Sequence, residues 1–427
     1  MSPRSIEEIR RCLSVGGQTS DTCLGGDALV PQGMLDFSDH KDLDGLVLLE
    51  QAVHPVLSGI EQAGLLVDTA ALMDANRKAR HRSSLAEIAF RDQRQRFGCP
   101  SINVGSDLQC KKLLGRLGIE VRDLKRRTLK RRGHPLTVAL ADFRHAVRRK
   151  SMVKRLIQFS SRGALFGHIK QFGTATGRIS ISAFELMNIP RDLRHLIISR
   201  QGTCFVYCDF SAMDMMSLAS LSDDKKMIDM LTGETDFYLS VAEQLRVDEE
   251  EGLERSEIKL GALAIGYGMT PYGLAEVLEW EIQDAGELIG EIKHLFPQAE
   301  TFLKAQADKA VETWMISSPL GRRRFFDEKE RKDKVRRVAR NHVIQGHAAD
   351  VFKERLVALA DLLAREKWGR IILPIHDAFL IEVRENCVGE AISGIREVLT
   401  RSPLLNISLK MKIGTGATWA EAVKNAE

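Results

Sequence analysis

The sequence predicts an α+β protein, in which long helices dominate the first part of the chain and short strands accompany helices after Gly173. One observation is a helical pattern that begins at an N-cap, Asp68–Thr69, and continues to about Phe97. Another is a pair of apolar segments, 371–377 and 379–383, whose spacing predicts two strands joined by a tight hairpin. A third apolar segment, 203–209, predicts a further strand, so a sheet is expected beside the helices.

The composition is that of a globular protein. The 427 residues suffice for two or three domains or one large lobed body, and 44% are hydrophobic and 28% charged. The apolar runs fall short of the ~20 residues that cross a bilayer, so no membrane association is expected, and the amino terminus lacks the apolar core of a secretory signal. The seven scattered cysteines form no CxxC pair, which argues against a zinc ribbon or a dithiol and favours a reducing, cytoplasmic location.

The amino-terminal third predicts an arm followed by helices. Residues 1–45 are rich in Gly, Ser and Asp, show little periodicity, and are expected to form an arm without its own core. Cys99-Pro100 ends the first long helix, residues 101–106 form a loop, and Ser106 can cap a second helix over 107–117. The apolar positions of the first helical pattern are Leu72, Ala75, Ala79, Leu85, Ile88 and Ala89.

The net charge of only +4 is the sum of one strongly basic block and an acidic remainder. Between Arg122 and Arg155 thirteen basic residues face two acids, Asp123 and Asp142, so the block carries +11 and the rest of the chain −7. Such a block is typical of a clamp on a phosphate backbone, although a lone charge run is more often a solvated surface or linker. Gly133-His134-Pro135 predicts that the block divides into two helical pieces.

Two predicted strands end on acids. The strand 203–209 ends on Asp209, and His376-Asp377 occupies the turn of the hairpin. An isolated aspartate at a strand end is usually a turn former or a helix cap. Two such acids on separate strands raise the chance of a metal site, because carboxylate oxygens are the ligands that Mg²⁺ prefers.

The segment 255–268 aligns side chains that could bind a nucleotide along one helical face. Arg255, Lys259, Leu263 and Tyr267 recur every four residues, which on a helix aligns two cations, an apolar contact and an aromatic ring. That face could hold a triphosphate and stack a base, while an ordinary amphipathic helix with two exposed cations fits the periodicity equally well. Three glycines, Gly261, Gly266 and Gly268, weaken the helix and indicate close approach or movement.

In order and spacing, these segments resemble the polymerase module of family A DNA polymerases, over about residues 46–422. Each motif alone is weak, and it is their joint order that carries the resemblance. The template–primer segment matches Thr174 to Ser180 together with Asn188 to Pro190, and motif A matches Asp209 to Asp214. Motif B matches Arg255 to Gly268, and motif C matches His376-Asp377. The segment before motif C matches in four pieces, Gly321 to Arg324, Arg337 to Asn341, Gln345-Gly346 and Ala348 to Asp350.

The resemblance implies a right-hand polymerase fold with an antiparallel palm sheet, fingers and thumb. It implies DNA-templated addition of dNTPs to the 3′ end of a primer, in the cytoplasm of a bacterial or phage-infected cell, by a monomer that binds primed template DNA. The expected boundaries are an arm at 1–45, thumb and its connection at 46–165, palm at 166–224, fingers at 225–335 and palm again at 336–427. Since about 45 residues precede the thumb, too few for an editing domain, no proofreading is expected.

The resemblance also implies the roles of the site residues. Asp209 and Asp377 would hold two Mg²⁺ ions, with Mn²⁺ as the alternative, in a two-metal phosphoryl transfer. Lys259 and Arg255 would neutralise the triphosphate, and Lys259 would donate a proton to pyrophosphate. The other implied residues are Leu263, Tyr267, Asp214 and Tyr238 for the nucleotide, and Arg178, Arg337, Asn341, Gln345, His376 and Asn103 for the DNA.

Three departures from the family pattern carry further hypotheses. Ala378 stands where motif C usually has a second acid, Asp214 replaces the glutamate that blocks the ribose 2′-hydroxyl, and Leu263 replaces an aromatic residue. They predict relaxed discrimination between sugars or against lesions. Ala378 and the altered motif A also keep open a catalytically impaired homologue that binds primed DNA. A single-subunit RNA polymerase, which shares the palm acids, is a further alternative, against which the acid at position 214 argues.

Overall fold

The computed structural model describes residues 44–161, 163–182, 186–245 and 253–426, which form two compact units. The larger unit contains residues 44–63, 167–191 and 199–426, and the smaller one contains residues 64–166 and 192–198. The predicted arm at 1–45 lies almost entirely outside the described residues. The mixture of helices with antiparallel sheets confirms the predicted α+β class.

The elements run as follows in chain order. The helices are α1 (Asp44–Ala63), α2 (Thr69–Arg96), α3 (Asp107–Gly115), α4 (Arg126–Arg131), α5 (Pro135–Phe159), α6 (Met213–Ser222), α7 (Lys225–Thr232), α8 (Phe237–Gln244), α9 (Arg255–Tyr267), α10 (Pro271–Leu278), α11 (Ile282–Leu295), α12 (Pro297–Thr313), α13 (Lys332–Glu366), α14 (Val388–Thr400) and α15 (Trp419–Lys424). The strands are β1 (Leu65–Val67), β2 (Ser160–Ser161), β3 (Ala164–Leu165), β4 (His168–Lys170), β5 (Ser180–Ser182), β6 (Ile197–Ile198), β7 (Thr203–Phe210), β8 (Met315–Ser317), β9 (Arg323–Phe325), β10 (Gly369–Ile375), β11 (Ala378–Arg384) and β12 (Met411–Gly416).

A four-stranded antiparallel sheet organises the larger unit, with strand order β10-β11-β7-β12. The predicted strands at 203–209, 371–377 and 379–383 are all confirmed within one or two residues. Strands β10 and β11 form the predicted hairpin, in which Ile375 pairs with Ala378 and leaves His376 and Asp377 as a two-residue turn. The central strand β7 therefore lies beside the hairpin that carries the second acid.

The long helix α13 packs against one face of this sheet through aromatic side chains. Phe352 stacks on Phe379 of β11 at a centroid distance of 4.5 Å, and Phe210 of β7 meets both rings edge-on. Residues alternate between faces along a strand, so the burial of Phe210 on the α13 face directs its neighbour Asp209 to the opposite face.

A buried cluster of four charges links α1, α13 and the β8–β9 hairpin. Glu50, Arg322, Asp350 and Lys353 are each at most 3% exposed, and their formal charges cancel. Arg322 Nη2 lies 2.6 Å from Glu50 Oε1 and 2.5 Å from Asp350 Oδ1, and Lys353 Nζ lies 2.7 Å from Glu50 Oε1. Burial alone would raise the pKa of Glu50, but the charges of Lys353 and Arg322 hold it below its usual value.

The cluster fixes the guanidinium plane of Arg322, against which the loop 173–178 rests. A Cβ atom placed on Gly177, whose φ is +80°, would lie 2.3 Å from Arg322 Cζ. Only glycine leaves room for the loop to lie flat on the guanidinium.

In the smaller unit, helices α2 and α5 pack beside a sheet of strand order β2-β3-β1-β6. The predicted N-cap is confirmed, because Asp68 Oδ1 accepts a hydrogen bond from the Ala71 N–H at 2.9 Å, and α2 ends at Arg96. Leu72 and Ala79 are buried as their spacing suggests. Leu85 and Ile88, however, are 53% and 45% exposed, because the second half of α2 turns Ser83 and Phe90 inward instead.

The basic block forms two helices, as predicted, with α4 ending before Gly133 and α5 beginning at Pro135. Part of its charge is internal to the smaller unit. Arg144 is buried, donates to the Val104 carbonyl at 2.5 Å and pairs with Asp107 at 2.6 Å. Its role is therefore to hold the loop 101–106. The exposed cations Arg127, Arg132, Arg148 and Lys154 leave a basic surface on this unit.

Across the described segments, no helix has the length and apolar character needed to cross a membrane.

Candidate active site at the end of the antiparallel sheet

Asp209 and Asp377 meet at one end of the sheet of the larger unit. Asp209 is the penultimate residue of β7, and the Phe210 N–H donates a 3.0 Å hydrogen bond to the Asp377 carbonyl. The turn that carries Asp377 is tight, since His376 adopts a left-handed backbone with φ of +52°. The hairpin geometry thus joins two acids that are 168 positions apart in the sequence.

Both carboxylates are costly to ionise where they lie, because each is largely buried and has another acid nearby. Burial raises the pKa of Asp209 to about 6, and the charge of Asp377 adds to the effect, while Lys259, Lys412 and Arg191 oppose it. Burial likewise raises the pKa of Asp377, against the charge of Arg178. Paired acids in a low-dielectric position lack full compensation from the protein and favour a bound cation.

The donor set fits a hard divalent metal ion, although it is sparse. Carboxylate oxygens suit Mg²⁺ or Mn²⁺, which keep several waters and take further ligands from substrate phosphates. Among the residues that the structure describes, no group of three or more His, Cys, Asp or Glu side chains is arranged to hold a metal. Ala378, directly opposite Asp209 on β11, accounts for part of this sparseness because it adds no carboxylate.

Asp214 is the centre of a polar triad next to these acids. It lies in the first turn of α6, is 8% exposed, accepts a hydrogen bond from the Tyr267 hydroxyl at 2.7 Å and pairs with Arg178 at 2.5 Å. Burial raises the pKa of Tyr267 to about 12, and Asp214 contributes to the shift, so the hydroxyl remains a donor. Arg178 therefore binds Asp214 and also lies close enough to Asp377 for the two charges to interact.

Helix α9 forms over the predicted range, and its predicted face stays accessible. Arg255 and Lys259 are exposed, whereas Ile258 and Ala262 on the other face are buried. Gly261 packs on α11, where a Cβ would lie 2.8 Å from Ile292 Cδ1. The glycines of this helix thus serve close packing.

The two cations of α9 lie over one aromatic ring. Arg255 Cζ is 5.1 Å and Lys259 Nζ 5.8 Å from the ring centroid of the buried Tyr238. Arg255 also forms a bidentate pair with Asp236, at 2.9 and 2.6 Å. Asp236 in turn caps α8, so Arg255 is held in place and would have to share its guanidinium with an incoming phosphate.

One face of α13 presents the polar residues predicted to contact DNA. Arg337, Asn341 and Gln345 follow one another at intervals of four, and Gly268 at the end of α9 packs on Arg337. The Gln345 side chain lies close enough to the Tyr267 hydroxyl to oppose the rise of its pKa, and Gln345 Oε1 accepts a hydrogen bond from the Thr176 hydroxyl at 3.4 Å. The predicted residues of the larger unit therefore gather around the sheet end, α9 and α13.

Asn103 belongs to the smaller unit. Its Oδ1 accepts from the Gly105 N–H at 2.9 Å, and its own N–H donates to Gln109 Oε1 at 2.8 Å. The side-chain oxygen is thus used within the loop, and the amide Nδ2 is the group left for a ligand.

Several residues near the site escaped prediction. Asp236 anchors Arg255, and Arg191 and Lys412 lie close enough to Asp209 to lower its pKa. Alternation of side chains along β12 places Lys412 on one face of that strand, but it does not reveal which strand lies next to β12. No local pattern marks Glu50, whose partner Lys353 is 303 positions away.

Comparisons with known proteins identify a family, related sequences and a similar solved structure. The family model described as DNA polymerase family A matches residues 80–421. DNA polymerase I of Pseudomonas aeruginosa is 27% identical over 88% of this chain, and that of Mycobacterium tuberculosis is 26% identical over 92%. A solved structure of the POL domain of Pol1 from M. smegmatis, in complex with DNA primer-template and dNTP, has a TM-score of 0.78 and 27% identity. It covers 88% of this chain and 70% of that one.

The similarity concerns only part of each bacterial relative. The chain spans 44% of the length of the Pseudomonas aeruginosa protein and 47% of that of the Mycobacterium tuberculosis protein.

Proposed function

The chain belongs to DNA polymerase family A, and from this premise we propose that it adds deoxynucleotides to a primer 3′ end under the direction of a DNA template, by two-metal phosphoryl transfer. The observation that carries the proposal is the meeting of Asp209 and Asp377 at the sheet end, close enough to Lys259 of α9 for its charge to act on both acids. Acids that hold metal ions and cations that receive a triphosphate are the two requirements of this chemistry.

Asp209 and Asp377 would hold the metal ions, and the protein's own side chains would orient the substrates. Two divalent ions held there, Mg²⁺ or Mn²⁺, would supply activation of the primer hydroxyl and neutralisation of the charge on pyrophosphate. Lys259 would donate a proton to pyrophosphate, while Arg255 would bind the γ-phosphate side as it exchanges part of its contact with Asp236. The stacked cations over Tyr238 support this role, since they are already directed along one face.

The DNA side of the proposal uses α13 and the motif C turn. Arg337, Asn341, Gln345 and His376 would contact primer, template and minor groove. Minor-groove acceptors are similar for every base pair, so such contacts test pair geometry without selecting sequence. We assign the sheet of the larger unit to the palm, residues 225–335 to the fingers and the smaller unit, with its basic surface and Asn103, to the thumb.

The deciding experiment is extension of a labelled primer on a DNA template with Mg²⁺ or Mn²⁺. Wild type is expected to extend the primer, and Asp209→Ala is expected to abolish extension. Asp361→Ala, which removes an exposed acid from α13, is the matched control and should behave as wild type. Absence of extension by wild type on any primed template would refute the proposal.

A second function, binding of primed DNA without catalysis, is favoured by one specific observation. Ala378 faces Asp209, and the described residues hold no group of three metal-binding side chains. A gel-shift measurement with the same primed template separates the two functions. Retained binding with no extension under either metal would favour the binding protein.

We further propose relaxed exclusion of ribonucleotides. Asp214 is one methylene shorter than glutamate and is held by both Arg178 and Tyr267, so it cannot swing toward the sugar without losing two hydrogen bonds. The ratio of kcat/KM for dNTP over rNTP should rise in Asp214→Glu. Strong exclusion by wild type that Asp214→Glu leaves unchanged would contradict this, and a preference of wild type for rNTPs would instead indicate an RNA polymerase.

A further inference from the structure

The cross-strand row that contains Asp209 has an unusual composition. In the register of the sheet, Asp209 on β7 faces Ala378 on β11 and Lys412 on β12. Residues directly opposite in antiparallel strands share a face and lie with their Cβ atoms about 4.5–5.5 Å apart. The metal-binding acid is therefore flanked by a neutral side chain on one side and by a cation on the other.

Lys412 is exposed on the sheet face that carries Asp209. Strand β12 is an edge of its sheet, and the Lys412 side chain is exposed. Further along the same face, helix α15 covers Gly414 and Gly416, where added Cβ atoms would lie 2.3 Å and 2.4 Å from α15 atoms. This covering closes the face beyond Lys412, which is itself exposed.

No ion pair within the described residues holds Lys412, and its flexible four-carbon stem leaves the ammonium mobile. The neighbouring Lys410 differs, because its Nζ donates to the Gly233 carbonyl. That contact ties β12 to the loop before α8, which carries Asp236, the partner of Arg255. The edge strand thus borders the region where Arg255 and Lys259 lie.

A lysine next to a metal-binding acid repels divalent ions and attracts phosphate oxygens. Such a lysine strengthens substrate binding only if a phosphate group of the substrate lies beside the ammonium. Lys259 of α9 and Lys412 of β12 both act on the same Asp209 carboxylate from different elements. A triphosphate bound above Asp209 would therefore meet two ammonium groups.

We propose that Lys412 is a phosphate-binding residue of this site, which contacts the triphosphate and the leaving pyrophosphate from the sheet while Lys259 does so from α9. The inference rests on the proposed polymerase function and adds a specific residue to it.

The test compares Lys412→Ala, Lys412→Glu and Lys412→Arg with Lys424→Ala, which removes an exposed lysine at the end of α15. The probe is inorganic pyrophosphate with Mg²⁺, titrated calorimetrically into the full chain without DNA. Loss of one charge-assisted contact should weaken its binding by about tenfold in Lys412→Ala, and more in Lys412→Glu. Lys412→Arg should restore binding, and Lys424→Ala should leave it unchanged.

Steady-state kinetics and two further binding measurements separate this role from the alternatives. KM for dNTP should rise about tenfold in Lys412→Ala with kcat changed less, and affinity for primed template should stay constant. Mn²⁺ binding, followed by electron paramagnetic resonance, should be unchanged or tighter. Unchanged pyrophosphate affinity with tighter Mn²⁺ binding would overturn the proposal, as would a loss of affinity for primed template alone.

Failure of the inference can be told from failure of the proposed function. A wild type that extends primers while Lys412→Ala matches Lys424→Ala refutes only the role of Lys412. A wild type that extends no primer refutes the function, whatever its affinity for pyrophosphate.

Discussion

Gly177→Ala should destabilise the larger unit more than a glycine substitution of the same backbone type elsewhere. The added Cβ would lie 2.3 Å from Arg322 Cζ and 2.4 Å from Nη1, well inside van der Waals contact. Arg322 cannot simply move away, because its guanidinium is bound to Glu50 and Asp350, both fully buried. Either the loop 173–178 lifts or the charge cluster is pulled apart.

The magnitude follows from two contributions. A non-glycine residue at a φ of +80° costs roughly 1–2 kcal/mol in backbone strain. Overpacking of the new Cβ against a fixed group adds about 1–3 kcal/mol. The total loss should not exceed the cost of separating a buried ion pair, about 3–5 kcal/mol, because the loop can lift before the charge cluster separates. The expected loss in the free energy of unfolding is therefore about 3–4 kcal/mol.

The matched control is Gly202→Ala. Gly202 has a φ of +74°, but no atom lies within 4 Å of the position that its Cβ would take, so it should lose only roughly 1–2 kcal/mol. Urea denaturation followed by circular dichroism measures both losses. Because Arg178 follows Gly177 and pairs with Asp214, Gly177→Ala should also raise KM for dNTP, whereas Gly202→Ala should not. Equal losses of stability in the two variants would refute the argument.

Three further predictions concern single charges. Asp209→Asn should raise the free energy of unfolding at pH 7 in metal-free buffer by about 1–3 kcal/mol, because the wild-type acid, with its pKa raised to about 6, is ionised there at a cost. The gain should shrink as the pH falls below about 6 and vanish by about pH 3, where the acid is protonated in both folded and unfolded chains, and a pH series of thermal unfolding would show this. Asp236→Ala should lower the free energy of unfolding by about 1–2 kcal/mol, because it removes the N-cap of α8. Asp236→Asn should lower it by less than about 1 kcal/mol, because asparagine preserves that cap, and urea unfolding measures both losses. Arg144→Met should lower the free energy of unfolding by about 2–3 kcal/mol, because Arg144 is buried and bonded. Its exposed neighbour serves as the comparison, since Arg148→Met should change the free energy of unfolding by at most about 0.5 kcal/mol. Arg148→Met should instead reduce the salt dependence of DNA binding by about one phosphate contact, as measured by a fluorescence titration.

Local patterns predicted elements well where their physical causes are local. The caps at Asp68 and Ser106, the break at Gly133-His134-Pro135 and the two-residue turn at His376-Asp377 depend on neighbouring residues alone. Periodicity was less reliable in α2, where Leu85 and Ile88 are exposed. What such a helix buries depends on the partner that packs on it, and the sequence of the helix does not contain that partner.

The candidate site was predicted in its residues more than in its contacts. Asp209, Asp377 and the cations of α9 were found from strand ends, helical spacing and the resemblance. The engagement of Arg178 with Asp214 and of Arg255 with Asp236 was not, because each pair joins residues from different elements. The basic block was identified by its charge, yet Arg144 within it proved to be a buried support for the loop 101–106.

By itself the sequence determined the α+β class, the extent of most helices and strands and the family, since these depend on local propensity and on the order of motifs along the chain. It also predicted the acids that would carry the chemistry. Only the tertiary structure decided which groups surround those acids. The neighbours of Asp209, with Ala378 on one side and Lys412 on the other, follow from strand register, and the support of Gly177 by Arg322 follows from a charge cluster assembled from three distant segments. Strand pairing and burial join residues far apart in the chain, and a linear pattern does not record that pairing.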